Sequence, residues 1–189
     1  MNGKGRVKIN MAITAVQILK KLYSKHTQKP DPRALPDAFY SEVRNGPSEF
    51  YLHPFFEEIK QSGGHRGLLI LDAVAIKQSW ARPCIIGYEI KVSRSDFLRD
   101  KKWRNYQKYC HEFYFVSPPK VVKIEDLDAA GCGDVGLIYY SAEHDTLFTK
   151  RRAMYREIDL RSPEVVGMLY YLAMYRAAAG ADWSRVCDG

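Results

Sequence analysis

Apolar residues recur along this chain at two periods, and the changes between them divide it into elements. Residues 11–25 set Ile13, Val16, Leu19 and Leu22 at helical spacing, which predicts an amphipathic first helix. Pro30, Pro32 and Pro36 end it. The aromatic, β-prone run 38–44 reads as a strand, and Asn45-Gly46-Pro47 as the turn after it. Residues 48–62 are ambiguous, with Pro54 placed to open a short helix carrying Phe55, Phe56 and Ile59, and Gly63-Gly64 to break it. Two buried strands follow at 67–76 and 84–93, joined by a polar turn at 77–83.

Residues 95–110 read as one helix, with Ser95 as N-cap, Asp96 near its positive end, and Phe97, Tyr106, Tyr109 and Cys110 as its apolar positions. An apolar strand at 112–117 stops at Pro118-Pro119, and 120–134 reads as a connecting loop. Residues 135–150 form a hairpin with Glu143-His144-Asp145 at its tip. A C-terminal helix takes Ser162 as N-cap, Pro163 as its first position and Gly180 as its stop. This order predicts an α/β domain with a mixed sheet.

At 189 residues, 46% of them hydrophobic, the chain suits one domain with one substantial core, and disorder is excluded. No apolar run approaches the roughly 20 residues that span a bilayer. The basic N-terminus is amphipathic and lacks a small-residue cleavage site, so a soluble cytoplasmic protein is expected. Cys84, Cys110, Cys132 and Cys187 are widely spaced, which predicts reduced, buried thiols rather than a zinc site or a disulfide framework. His26, His53, His65, His111 and His144 show no ligand spacing either.

The net charge of +7 favours a polyanionic partner, and its distribution says more than its total. Lys91, Arg94, Arg99, Lys101, Lys102, Arg104 and Lys108 crowd one stretch against Asp96 and Asp100 alone. Lys150, Arg151, Arg152 and Arg156 form a second cluster, of which Lys150-Arg151-Arg152 reads as a solvated strand end rather than a DNA contact.

Three charged residues interrupt the two most apolar strands. Asp72 breaks one run, and Glu89 and Lys91 break the next, on one face by period-2 alternation. An isolated buried carboxylate is costly unless something compensates it. If the strands form an antiparallel hairpin centred on the polar turn, Asp72 falls opposite Glu89, and all three groups share a face. Two carboxylates and a lysine there suit Mg²⁺, whose remaining ligands are waters and phosphate oxygens. A buried ion network that simply holds the hairpin together is the structural alternative.

At Asp72…Glu89-Ile90-Lys91 the sequence resembles the PD-(D/E)XK nuclease superfamily. The stretch YEIKVSRSDFLRDKKWRNYQKYCHEFYFVSPP, residues 88–119, is similar to MmcB-like DNA repair proteins and related phage or bacterial proteins. Looser similarity covers about residues 10–150, and the helix after Pro163 has no counterpart. The resemblance implies a restriction-endonuclease-like mixed β-sheet flanked by helices; with the extra C-terminal helix of about 162–180 added from the residue pattern, a single domain over 1–189 is expected. It implies Asp72 and Glu89 as metal ligands, the Ile90 carbonyl as a further ligand, and Lys91 as the catalytic lysine. The early acid of the family matches Glu42 best by order, with Glu57 and Glu58 as rivals. Leu71 stands where the motif often has proline.

The implied activity is Mg²⁺-dependent DNA hydrolysis in repair or phage and bacterial DNA processing, with Mn²⁺ as a substitute metal. Arg99, Lys101, Lys102, Arg104 and Lys108 are the expected phosphate contacts, Tyr106 or Gln107 an expected reach toward the scissile group, and Trp103 an expected core anchor. Tyr170, Tyr171 and Tyr175 would suit core packing or a homodimer interface. The alternative is a DNA-binding module that keeps the fold without cleaving.

Overall fold

The computed structural model describes residues 12–28, 36–44, 70–77, 79 and 82–178. Six strands form one mixed sheet in chain order: β1 (Ala38–Arg44), β2 (Ile70–Lys77), β3 (Cys84–Ile90), β4 (Glu112–Ser117), β5 (Gly136–Ser141) and β6 (Thr146–Arg151). β1, β2 and β3 pair antiparallel, β3, β4 and β5 pair parallel, and β5 and β6 close as an antiparallel hairpin. The parallel steps need crossovers, and helical segments between the strands supply them. The architecture is therefore α/β, as the order of periods implies.

Helices cover both faces. Helix α1 (Ala15–Thr27) starts at a capping box between Thr14 and Gln17 and buries Ile18 and Leu22. These pack with Phe39, Ala73, Ile86, Tyr88, Tyr114 and Ile138 on one face of the sheet. Val16 is 51% exposed, at the boundary of the apolar stripe of α1. On the other face lie α2 (Arg94–Arg99), a 3₁₀ segment (Trp103–Tyr109), α3 (Ile124–Ala129) and α4 (Pro163–Ala178). Phe97, Trp103, Tyr106, Leu127, Val165, Met168 and Leu172 bury there against Val74, Ile85, Phe113, Phe115 and Leu137. Among the described residues no helix is long and apolar enough to cross a membrane.

Three expectations are corrected. Residues 95–110 are not one helix: α2 ends at Asp100, whose side chain accepts the Lys102 backbone N–H at 2.8 Å, and a 3₁₀ segment follows. That local carboxylate-to-backbone bond competes with helix propagation. The N-cap is Ser93 rather than Ser95, with Ser93 Oγ accepting the Asp96 N–H at 3.2 Å. The stretch 120–134 is not all loop: it contains α3, held by the Arg94 guanidinium, which grips both carboxylate oxygens of Asp126 and donates to the Val121 carbonyl at 3.0 Å. The Asp126 carboxyl is held below its usual range chiefly by that hydrogen bond.

Gly87 leaves room for Cys110, which follows the 3₁₀ segment, to pack closely on the sheet. A Cβ there would meet Cys110 Sγ at 2.8 Å. Trp103 is the anchor of the same layer, 5% exposed and set edge-on to Phe115 with ring centroids 5.2 Å apart. The turn of the central hairpin at 80–81 and the stretch 48–62, with Glu57 and Glu58, lie outside the described residues, as do Cys187, Gly180 and the side chains of Tyr171 and Tyr175.

Candidate active site

The register of the central hairpin brings the interrupting charges together. Ala73 pairs with Tyr88 and Val74 with Gly87, so one step further along the ladder Asp72 falls opposite Glu89. Both therefore lie on the face that carries α2 and the 3₁₀ segment. Ser41 pairs with Ala73 and Val43 with Leu71, which sets position 42 opposite Asp72 on the other side. The backbone thus aligns positions 42, 72 and 89 across three adjacent strands; the side chain of Glu42 lies outside the described residues.

Asp72 Oδ2 accepts the Ile90 backbone N–H at 2.6 Å, tying β2 to the end of β3 where pairing stops. Lys91 leaves the strand immediately after, its own N–H donating to the Val116 carbonyl at 2.9 Å. Its ammonium lies 3.0 Å from Glu89 Oε1, 2.7 Å from Asp100 Oδ2 and 3.3 Å from Asp96 Oδ2. Asp96 and Asp100 sit one helical turn apart on α2, so both reach back to the same amine. The sequence places Asp96 near the positive end of the helix and gives Asp100 no part in the site. The signal that marks them is the four-residue spacing of two acids on the helix following Lys91.

The electrostatics are those of excess negative charge in a dry place. Burial, then the nearby Asp72 charge, pushes the Glu89 carboxyl up to about 8, although Lys91 pulls the other way. Burial also raises Asp72, against the Ile90 hydrogen bond and Lys91. Asp100 is held below its usual range: burial opposes this, but the hydrogen bonds from Lys91 and the Lys102 backbone outweigh it. Lys91 is raised, because the Asp100 and Glu89 carboxylates outweigh its burial, so it stays charged. Tyr106, packed close by, is pushed up to about 12 by burial and by the charges of Glu89, Asp100 and Asp72.

The donor chemistry fits a hard divalent cation. Glu89 is 5% exposed, and its Oε2 is buried with no hydrogen-bond partner among the described residues. Such an atom costs free energy unless a proton or a cation satisfies it. Among the described residues no group of three or more His, Cys, Asp or Glu is arranged to hold a metal ion. The groups that could hold a cation here are the two carboxylates Asp72 and Glu89 and the Ile90 carbonyl, which follows Glu89 in the chain. Mg²⁺ accepts a set of that size because it retains several waters and takes phosphate oxygens.

The cations of the adjoining stretch have divided fates. Arg99, Lys101 and Lys102 are exposed, and among the described residues their side chains make no ion pair. Arg104 donates to the Ala130 carbonyl at 2.7 Å and lies over the Trp103 ring, 4.9 Å from its centroid. Lys108 lies 3.6 Å from Glu164 of α4. In the second basic cluster, Arg151 staples the Val135 and Cys132 carbonyls at 2.9 Å each, and Arg156 pairs with Asp134 at 2.8 Å.

The histidines and cysteines of the described core are structural. His26 bridges Asp37 at 2.8 Å and the Tyr88 hydroxyl at 2.7 Å beneath α1. His111 Nδ1 accepts the Ile85 N–H at 3.0 Å, and burial lowers its basicity. Cys84, Cys110 and Cys132 are free and buried, and burial pushes the Cys110 thiol up to about 12.

No family model and no curated protein matches the chain. Among solved structures, a protein of unknown function from Silicibacter pomeroyi is similar with a TM-score of 0.56 at 18% identity, over 89% of this chain and 90% of that one. The likeness is one of fold, over nearly the whole length of both chains.

Proposed function

We propose that this protein is a divalent-metal-dependent DNA nuclease of the PD-(D/E)XK type, with a restriction-endonuclease-like arrangement of its mixed sheet. The observation that carries the reading is the buried Oε2 of Glu89, which has no hydrogen-bond partner among the described residues and is set across the hairpin from Asp72 and beside the Lys91 ammonium. In this reading Asp72 and Glu89 hold Mg²⁺ or Mn²⁺, with the Ile90 carbonyl as a further ligand and Glu42 completing the acidic row. When bound, the cation supplies Lewis acidity to a phosphoryl oxygen and makes a water more acidic. Lys91 keeps its proton and places positive charge where the pentavalent transition state gathers negative charge. Asp72 is steadied by the Ile90 N–H, so its free oxygen is aimed without reorganisation. Arg99, Lys101 and Lys102, exposed and without an ion pair among the described residues, present charge to the phosphate backbone.

The test is incubation of the purified protein with single-stranded, duplex, flapped and branched DNA, in Mg²⁺, Mn²⁺ or EDTA. Cleavage that needs the metal supports the reading; intact DNA of every form with either metal refutes it. One observation favours a second reading, a DNA-binding module without cleavage: the Lys91 ammonium is already shared among three carboxylates. Salt-sensitive binding without metal-dependent cleavage would establish that module instead.

A further inference from the structure

We infer that Asp100 is a positioning residue of this site, which holds the Lys91 ammonium in place whether or not Glu89 is engaged elsewhere. The inference deepens the proposed nuclease reading, and only its catalytic consequence rests on that reading. An ammonium has three protons and no acceptor, so three oxygens can anchor it. Here they are Glu89 at 3.0 Å, Asp100 at 2.7 Å and Asp96 at 3.3 Å. The three are not equivalent. Glu89 is the carboxylate that a metal would claim. Asp96 is half solvated, with its side chain 51% exposed, and its contact is the longest. The Asp100 side chain is 13% exposed and makes the shortest contact.

Asp100 is also the one of the three fixed from both directions. Its backbone N–H closes α2 on the Asp96 carbonyl at 3.1 Å, and its Oδ1 accepts the Lys102 N–H at 2.8 Å. The second oxygen, Oδ2, faces the Lys91 ammonium at 2.7 Å. Hence the helix ends where it does: the carboxylate that stops α2 is the one that orients the lysine. The same residue sets the backbone of Lys101 and Lys102, so one turn fixes both the amine and the exposed cations beside it. A carboxylate that holds a reactive group while anchored itself typically affects activity about 10- to 100-fold when it is removed.

The test compares Asp100→Asn with Asp96→Asn in the full chain. Asn keeps the acceptor for the Lys102 N–H and removes the charge that faces Lys91. Lysine-labelled protein is examined by NMR for the Lys91 ammonium signal, which is visible when salt bridges slow its proton exchange. In wild-type protein the signal is expected with and without saturating Mg²⁺, in Asp96→Asn it persists, and in Asp100→Asn it broadens away. Cleavage turnover should fall about 10- to 100-fold in Asp100→Asn, with DNA KM and Mg²⁺ half-saturation within about threefold of wild type. If Asp100→Asn does not fold, Asp100→Ser replaces it, since a serine hydroxyl also accepts the turn N–H. A signal that survives the Asp100 change, or that is lost in Asp96→Asn instead, overturns the inference. A protein that cleaves nothing yet shows the expected ammonium pattern leaves Asp100 as the anchor and removes the nuclease reading alone.

Discussion

Replacing Glu89 by glutamine isolates the electrostatic cost of the site. The Glu89 carboxyl titrates near 4.5 in an ordinary setting and is pushed up to about 8 here by burial and the Asp72 charge. Between those values the folded chain holds a proton that the unfolded chain has released, so stability falls as pH rises across that window and levels off above about pH 8. A shift of about 3.5 units at roughly 1.36 kcal/mol each sets a ceiling of about 5 kcal/mol. Glutamine has the same shape and no charge. Its carbonyl still accepts from Lys91, and its amide fills the place where Oε2 has no partner. Losing the charged half of the bond to Lys91 returns about 1–2 kcal/mol. Glu89→Gln should therefore be about 2–4 kcal/mol more stable than wild type at pH 8–9 and close to it at pH 4–5. Urea unfolding of both proteins in metal-free buffer, at one-unit steps from pH 4 to 9, measures this directly. Two curves that stay parallel across the range, or a wild type that gains on the variant as pH rises, would show that Glu89 is not held neutral by its surroundings.

Three further outcomes follow from the site and its neighbours. Lys91→Ala should abolish or strongly reduce metal-dependent cleavage and leave DNA affinity nearly unchanged, measured by turnover beside fluorescence anisotropy, because its charge acts on the transition state. Lys101→Ala with Lys102→Ala should flatten the log–log salt dependence of DNA binding by about one unit or more; Lys108→Ala should do so less, because that amine already pairs with Glu164. An unchanged slope in the double variant would place the DNA path elsewhere. Trp103→Ala should lower stability by roughly 3–5 kcal/mol in urea unfolding, since the ring is buried against Phe113 and Phe115, and a loss below 1 kcal/mol would contradict its place as anchor.

The central hairpin was legible from sequence because its information is local. Period-2 alternation assigns each residue to a face, and a polar turn of fixed length sets the register. Asp72 thus meets the position of Glu89 through chain-neighbour rules alone. The N-terminal cap of α4 was equally readable: Pro163 opens the helix and the Ser162 hydroxyl before it accepts the Val165 N–H at 3.3 Å.

What local rules could not decide is which distant group each charge would choose. The helical pattern of 95–110 is real, yet α2 stops at Asp100 because that carboxylate turns to Lys91 and the Lys102 N–H. Arg104 and Lys108 look like phosphate contacts in the sequence, and the fold brings Ala130 and Glu164 within their reach. Arg151 and Arg156 are likewise drawn to the loop before β5. Period and turn chemistry depend on residues a few places apart, so the sequence carries them. The partner of a long charged side chain depends on segments tens of residues away, and only the packed sheet and its helices bring those segments together.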